Sequence, residues 1–331
     1  MSHANRTMAV AACCLILASV TRRAHADEPL KQRFLAEAPA RWAELDRASK
    51  HVEGTYTKSI VHSPESKPPS FARCTFAIND ANVKVASEFA EKPGEKAKMV
   101  RVESNNQKYI FQINRPPISP DYAISFLEPG DSRGDPVHLE KIAGIIEEHK
   151  DNIFCPWYLL GRPLSAWLND PGLKITSVDL AEVEGQKVAR VKFDYASAKD
   201  LKDKLSNSHV DLDIEGHWTI RGYLARRPWG TMEAKLTYGN PVDGIPAVKS
   251  KEEILEGGGA KVIRTLKMEN FFQKEVPASA FTLSAYNLPE PNFNAGYNSF
   301  FYWYLSAAVI LGVITILLMR KRPSHGAAPS M

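Results

Sequence analysis

Apolar and polar side chains alternate along many short stretches of this chain. The period is two residues in segments 83–89, 100–102, 109–113, 189–195, 232–238 and 262–268. A period of two buries one face of a strand and leaves the other in water, which is typical of antiparallel meanders rather than of parallel sheets. Turn-forming residues separate these segments at 79–80, 104–106, 184–185 and 257–259. The pattern therefore predicts a mainly antiparallel sheet with hairpin connections.

Helical spacing appears at two places. Leu30, Phe34, Trp42 and Leu45 predict one or two amphipathic helices before the strands, with Pro39 as a kink or break. The second place is segment 136–170, which interrupts the strands with a helix at 138–150 and an aromatic stretch at 154–168. We expect this segment to pack short helices onto the sheet, so the fold class is α+β.

The N-terminus has the pattern of an export signal. An apolar run at 8–20 follows Arg6 and leads to Ala24-His25-Ala26, a small-x-small cleavage pattern. The run is too short to span a membrane, which takes about 20 helical residues. Residues 1–26 are therefore predicted to be a signal peptide, and the folded domain, 27–290, is predicted to lie outside the cytoplasm.

The C-terminus has the pattern of a membrane anchor. Residues 300–319 are apolar and uncharged, and Arg320, Lys321 and Arg322 follow at once. By the positive-inside rule this cluster stays in the cytoplasm. We expect a linker at 291–299, a transmembrane helix at 300–319 and a cytoplasmic tail at 320–331. These features predict a single-pass protein of a bacterial cell envelope.

A different interpretation of the C-terminus rests on residues 288–291. Leu288-Pro289-Glu290-Pro291 before an apolar helix and a basic cluster resembles the Pro-Glu-Pro sorting signals that exosortases remove. The spacing to the helix is longer here than those signals usually have. A permanent anchor is the favoured interpretation, and removal of the helix stays open.

The net charge of +4 does not indicate a nucleic-acid partner. Six basic residues lie in the signal and the tail, and without them the chain has 36 basic against 38 acidic residues. A slightly acidic domain offers no basic surface for phosphates. The net positive charge thus comes from the residues that set the orientation in the membrane, and not from the folded domain.

The mature chain keeps two cysteines, Cys74 and Cys155, because Cys13 and Cys14 lie in the signal. In an oxidising envelope an even pair suggests a disulfide. The alternative is two separate buried thiols, because free cysteine behaves as a small hydrophobe. The sequence leaves both open, and a Cys74–Cys155 bridge is the hypothesis.

No arrangement of residues in the chain predicts catalysis, a metal or a cofactor. There is no Gly-x-Ser-x-Gly elbow, no His-Glu-x-x-His helix, no phosphate loop and no Cys-x-x-Cys. Asp211, Asp213 and Glu215 alternate along one strand and could bind calcium, although such a strand more often shows its polar side to water. Segment 226–230, Arg-Arg-Pro-Trp-Gly, is interpreted as a hairpin turn, with an anion-contacting loop as the alternative.

The order of elements and the closing residues carry a resemblance. A last strand at 261–272 is followed by Pro277 and Phe281 in a Pro-x-x-x-Phe pattern, after helix, strands, helical insertion and more strands. This order resembles the LolA/LolB lipoprotein-carrier superfamily, which includes RseB-type sigma-factor regulators. The resemblance implies an unclosed, strongly curved half-barrel with helices on its concave face, where an acyl chain can bind.

We therefore expect a membrane-fixed binding or sensing module for a lipid, acyl chain or lipoprotein, and not an enzyme. An envelope enzyme with an unrecognised site and a structural protein-binding module are the alternatives. The bilayer, a lipid or lipoprotein and an envelope protein are the expected partners. The residues expected to line the ligand pocket are Trp157, Tyr158, Leu160, Trp167, Phe111 and Phe193.

Overall fold

The computed structural model describes residues 29–64, 68–80, 82–130, 155–196 and 204–293. Nearly all of them belong to one compact unit that ends at Leu288, and a second unit begins at Pro289. The first described element is helix α1, which is described over residues 29–48. The predicted helix at 138–150 lies outside the described residues.

Six strands follow α1 and form the first half of a sheet. They are β1 (His51–Ser63), β2 (Ser70–Asn79), β3 (Asn82–Ala90), β4 (Met99–Asn106), β5 (Tyr109–Arg115) and β6 (Ala123–Pro129). A small insertion comes next, with a two-stranded ribbon of β7 (Tyr158–Leu159) and β8 (Arg162–Pro163) and the short helix α2 (Leu164–Leu168).

Seven further strands form the second half. They are β9 (Leu173–Val183), β10 (Gln186–Tyr195), β11 (Leu205–Asp213), β12 (Thr219–Arg227), β13 (Gly230–Tyr238), β14 (Val248–Gly257) and β15 (Ala260–Gln273). Two 3₁₀ turns, Ala278–Phe281 and Leu283–Tyr286, close the domain.

All thirteen long strands belong to one antiparallel sheet. Its order is β6-β5-β4-β3-β2-β1-β15-β14-β13-β12-β11-β10-β9, so each half is a meander. The halves meet where β1 pairs with β15, from Val52 opposite Gln273 to Ser63 opposite Lys261. Within the described chain, β6 and β9 each have a strand neighbour on one side only, and the curved sheet is therefore unclosed.

The register gives the sheet two distinct faces. One face, here the core face, carries Tyr56, Cys74 and Val85 in the first half and Val191 and Val210 in the second. These side chains belong to one large apolar cluster, which also includes residues of α1 and of the insertion. The opposite face, here the back face, is polar over much of its area.

Helix α1 packs on the core face through its apolar stripe. Phe34, Ala38, Trp42 and Leu45 are all buried, at the three- and four-residue spacing of one helix side. The indole nitrogen of Trp42 donates to the carbonyl oxygen of Trp218 at 2.9 Å. Pro39 lies inside the continuous helical stretch and does not divide it.

The residues after β15 cover part of the back face. This closing segment, 276–288, places Phe281 against β3 and β4 with its side chain fully buried. Its carbonyl oxygen accepts hydrogen bonds from Ser104 Oγ at 3.0 Å and Asn106 Nδ2 at 2.9 Å. The prediction of a last strand followed by a closing Phe281 agrees with this arrangement.

The structure confirms the predicted mainly antiparallel, unclosed sheet with few helices. One predicted turn is wrong, because residues 104–106 continue β4 and the turn lies at Gln107 and Lys108. In the part of the chain that the structure describes, no helix has the length and apolar character to cross a membrane. The predicted signal peptide and transmembrane helix lie outside that part.

The hypothesis of a Cys74–Cys155 bridge is wrong, because no disulfide joins these two described residues. Cys74 lies in β2, and its sulfur is 3.4 Å from Ser87 Oγ of β3. Cys155 lies beside β12, because the carbonyl of the next residue, Pro156, accepts a hydrogen bond from the amide of Ile220. Strand β12 is five positions away from β2 in the sheet order. A disulfide needs Cα atoms within about 7 Å, so the alternative of two buried thiols describes the structure.

Candidate functional site

The insertion at 155–168 is attached to the second half of the sheet and to α1. The carbonyl of Pro156 accepts from the amide of Ile220 at 2.7 Å. The indole nitrogen of Trp157 donates to Asp46 Oδ1 in α1 at 2.5 Å, and that of Trp167 donates to the carbonyl of Leu159 at 2.9 Å. Both indoles therefore have partners although they are buried, as large amphipathic rings require.

Beneath this insertion the core is nearly filled. The cavity between α1, the insertion and strands β9–β11 has a volume of about 20 Å³ and apolar walls that include Trp42, Trp167 and Phe193. Small-molecule sites usually enclose about 300 to 1,000 Å³. The aromatic insertion is thus packed core in this structure.

The six residues expected to line a pocket do not all meet. Trp157, Trp167 and Phe193 are buried in the main core, and the ring centroids of Trp167 and Phe193 are 6.3 Å apart. Tyr158 and Leu160 are half-buried at the margin of that core. Phe111 lies on the back face, where its ring centroid is 6.2 Å from that of Tyr286 in the closing segment.

A larger opening lies on the core face of strands β1–β4. Its volume is about 250 Å³, close to the lower limit of about 300 Å³ for small-molecule pockets. The core-face side chains that line it are Lys58, Ile60, Ala72, Cys74, Ser87, Phe89, Arg101 and Glu103. Sequence analysis missed this set, because its members are spread over four strands and only the pairing register brings them onto one face.

The walls of this β1–β4 cavity combine apolar and charged groups. Ile60 and Phe89 provide apolar surface, and the Arg101 guanidinium stacks 5.5 Å from the centre of the Phe89 ring. Lys58 adds a second cation, and Glu103 adds a carboxylate to the same wall. Burial raises the pKa of the Cys74 thiol, so the sulfur is a neutral wall atom at neutral pH. Such a cavity can take an apolar chain and hold an anionic group near its cations.

A separate charged cluster lies on the core face at β12, β14 and β15. Glu253 Oε1 accepts from the Tyr223 hydroxyl at 2.8 Å and is 3.2 Å from Lys251 Nζ, and its Oε2 accepts from Arg264 at 3.3 Å. Burial acts to raise the pKa of Glu253, but the charges of Lys251 and Arg264 and the tyrosine hydrogen bond outweigh it and lower that pKa.

This cluster is closed to substrates. The side chains of Lys251 and Glu253 are 1% and 3% exposed, so solvent molecules do not reach their charged atoms. A buried ion pair with several hydrogen bonds fixes the positions of its strands, and breaking one partner is costly. We therefore interpret it as a structural feature of the sheet centre.

The carboxylates considered for calcium are bound by arginine. Asp211 accepts two hydrogen bonds from Arg190, at 2.7 and 2.9 Å, and Asp213 accepts from Arg221 Nε at 2.9 Å. Among the residues that the structure describes, no group of three or more His, Cys, Asp and Glu is placed to hold a metal ion.

The chain is similar to solved structures that cover about three quarters of its length. One is a DUF1329 family protein from Desulfovibrio piger, with 9% identity and a TM-score of 0.45 over 75% of this chain and 97% of that one. The other is a LolA superfamily protein from Nitrosomonas europaea, with 9% identity and a TM-score of 0.40 over 76% of this chain and 99% of that one. The resemblance stated from the sequence is to this same superfamily. No protein-family model matches the chain, and no curated protein sequence matches it.

Proposed function

We propose that this protein is a membrane-anchored, extracytoplasmic module of a bacterial envelope that binds the acyl chain of a lipid or lipoprotein in the β1–β4 cavity. The observation that carries the proposal is the cavity itself, which combines apolar walls with two cations, Lys58 and Arg101, and one carboxylate, Glu103. An acyl chain fits the apolar wall, and a polar head group can pair with the charged groups beside it. The signal peptide, the anchor and the outward domain come from the sequence patterns at the two ends.

The test uses the natively exported full chain in membranes and a photoactivatable fatty acid. We expect cross-linked peptides from β1, β3 or β4, near Ile60 and Phe89. Ala72→Leu adds volume on the core face within the cavity and should remove most of the cross-linking. Ala86→Leu adds the same volume on the back face of neighbouring strand β3 and is the matched control, with cross-linking retained.

Either of two results would contradict the proposal. One is cross-linking that maps outside β1–β4, and the other is equal cross-linking in both leucine variants. A protein that takes up no amphiphile would instead be a structural or protein-binding module, with an envelope protein as its partner. Mass spectrometry of lipids that copurify with the full chain supplies the identity of the bound molecule.

A further inference from the structure

A second cavity lies on the back face of the sheet, over strands β15, β1, β2 and β3. Its volume is about 620 Å³, within the range of about 300 to 1,000 Å³ that small-molecule sites usually enclose. The β3–β4 connection at 91–98 forms part of its wall, although β3 and β15 are three positions apart in the sheet order. The connection therefore extends over the back face, and we call the enclosed space the back-face cavity. Lys58, Phe71 and Ala72 border both this cavity and the β1–β4 cavity, because they lie in the sheet between the two.

Two rows of cross-strand neighbours form the floor of the back-face cavity. Both rows run from β15 through β1 and β2 to β3. The first row consists of Lys267, Thr57, Arg73 and Glu88. The second consists of Thr265, Ser59, Phe71 and Ala90. The floor is therefore polar along one row and partly apolar along the other.

Three hydroxyl groups of the floor are open to a ligand. Thr57, Ser59 and Thr265 are half-buried, and Ser59 lies directly opposite Thr265 in the register. Among the described residues, none is hydrogen-bonded to these three hydroxyls. A hydroxyl both donates and accepts hydrogen bonds. The floor thus offers three adaptable partners to a polar molecule.

The charged side chains of the cavity balance one another. Arg73 Nε donates to Glu269 Oε2 at 3.0 Å, and Glu88 is the cross-strand neighbour of Arg73 on its other side. Lys58 belongs to the core face, opposite the buried Leu266. The other charged lining residues are three cations and three carboxylates, namely Arg73, Lys92, Lys267, Glu88, Glu95 and Glu269. This lining favours neither an anion nor a cation, but it places strong donors beside strong acceptors.

Phe71 provides an aromatic surface beside these polar groups. It is half-buried, and its cross-strand neighbours are Ser59 and Ala90, both of which are small. A sugar ring has an apolar C–H face and a rim of hydroxyls that donate and accept. The aromatic ring matches the first of these surfaces, and the mixed donors and acceptors match the second.

Two other classes of ligand fit this cavity less well. An extended peptide usually binds by adding a strand to a free sheet edge. The four floor strands have neighbours on both sides, so their backbone groups are already paired. An acyl chain requires a mainly apolar lining, whereas here it would lie along the charged row of Lys267, Arg73 and Glu88. The lining therefore favours a saccharide.

We propose that the back-face cavity binds a neutral oligosaccharide. Phe71 packs against a sugar ring, and Arg73, Glu88 and the three floor hydroxyls form hydrogen bonds with the sugar hydroxyls. This site lies on the opposite face from the proposed acyl-chain site. It requires neither that site nor the membrane anchor, so its test can fail while the proposed function stands.

The test measures glycan binding to the natively exported full chain. The protein is purified in a detergent without sugar groups, so that the detergent does not occupy the site. The probes are arrayed neutral oligosaccharides of glucose, galactose, mannose and N-acetylglucosamine, with uronic-acid oligosaccharides and peptides beside them. The strongest neutral binder is then titrated against each variant. Circular dichroism shows whether each variant keeps its sheet.

We expect neutral oligosaccharides to bind to the wild type. Ala90→Leu fills the floor beside Phe71 and should weaken binding by about tenfold or more. Ala86→Leu, on the same face of β3 but outside the cavity lining, is the matched control and should retain binding.

A second pair of variants tests the hydroxyls. Thr57→Val with Thr265→Val should lower the affinity by about twenty-fold, since each hydrogen bond contributes about fivefold. Thr75→Val, at an exposed position on the same face of β2, should have no effect. Absence of glycan binding, binding of uronic-acid oligosaccharides or peptides alone, or equal affinity of the two leucine variants would each overturn the proposal. If Ala90→Leu does not fold, the threonine variants decide, and an unchanged affinity there overturns it.

Discussion

At the scale of single residues, Trp157 shows how the insertion contributes to stability. Its side chain is fully buried and its indole nitrogen donates to Asp46, so one residue joins the insertion to α1. Removing the ring leaves an apolar cavity beside a carboxylate that has lost a donor. Both effects destabilise the folded state.

The first prediction is that Trp157→Ala lowers the free energy of unfolding by about 3 to 5 kcal/mol, which is the usual cost of an aromatic deletion in a core. Trp229→Ala, at an exposed turn, is the matched control and should change stability by less than about 0.5 kcal/mol. Denaturant unfolding of the full chain, followed by circular dichroism, measures both. Equal effects of the two substitutions would show that the insertion is not packed core.

The burial of Trp157 and Trp167 could be predicted from the density of aromatics around them, but their role could not. A wall and a filled core contain the same residue types, and only the 20 Å³ volume of the enclosed space distinguishes them. Phe111 lies on the other face for a comparable reason. Alternation predicts that it is buried, but the side of the sheet depends on pairing partners far away in sequence.

At the scale of elements, the closing segment holds the first half of the sheet from its back face. Ser104 and Asn106 bind the carbonyl of Phe281, and the Tyr109 hydroxyl accepts from the amide of Leu283 at 2.9 Å. The first two were predicted as turn residues, because serine and asparagine favour turns. Their actual partner is about 175 residues away, so the residues near them in the sequence do not predict it.

The second prediction concerns this segment. Phe281→Ala removes a fully buried ring and should open the segment locally, since the segment consists of short 3₁₀ turns and has Val276 and Leu283 as its other buried apolar side chains. We expect proteolytic cleavage within 276–288 to be much faster than in the wild type, while the sheet signal in circular dichroism persists. Ser284→Ala, at an exposed position in the same segment, should be cleaved at the wild-type rate. A cleavage rate unchanged by Phe281→Ala would show that Leu283, Val276 and the hydrogen bonds hold the segment without the Phe281 ring.

Most strand positions could be predicted from the sequence, because the alternation of apolar and polar residues lies within each strand. The pairing of β1 with β15 was not, since their residues are about 200 positions apart and many strands offer a similar apolar face. This single pairing joins the two meanders into one sheet. The β1–β4 cavity depends on the same kind of information, because its lining residues are spread over four strands.

The third prediction links an element to pH. The pKa of Glu253 lies below its ordinary value of 4.5, so its ion pairs stabilise the fold above about pH 4.5 and that contribution is lost as pH falls through the lowered pKa. Glu253→Gln should cost about 3 to 5 kcal/mol at neutral pH, because it leaves the buried Lys251 and the half-buried Arg264 without their carboxylate. The difference from wild type should shrink on acidification.

Glu252→Gln is the control for this prediction, because Glu252 directly precedes Glu253 in β14 and is exposed. Its unfolding free energy should follow the wild type at every pH. The measurement is the denaturant midpoint of each full-length protein between neutral and strongly acidic pH. A loss for Glu253→Gln that does not depend on pH would mean that packing, and not charge, stabilises the sheet centre.

At the scale of the whole molecule, the last prediction is topological. A reporter that is active only in the cytoplasm should work when fused after Met331, because the positive-inside rule predicts that Arg320, Lys321 and Arg322 keep that end in the cytoplasm. A periplasmic reporter should work when inserted at Glu184, in an exposed turn of the sheet. Replacing the three basic residues with Glu should mix the two orientations without unfolding the domain, since the described core contains none of the three. An unchanged orientation in that variant would mean that the apolar segment, and not the basic cluster, determines the topology. An active periplasmic reporter after Met331 in the wild type would contradict the predicted orientation.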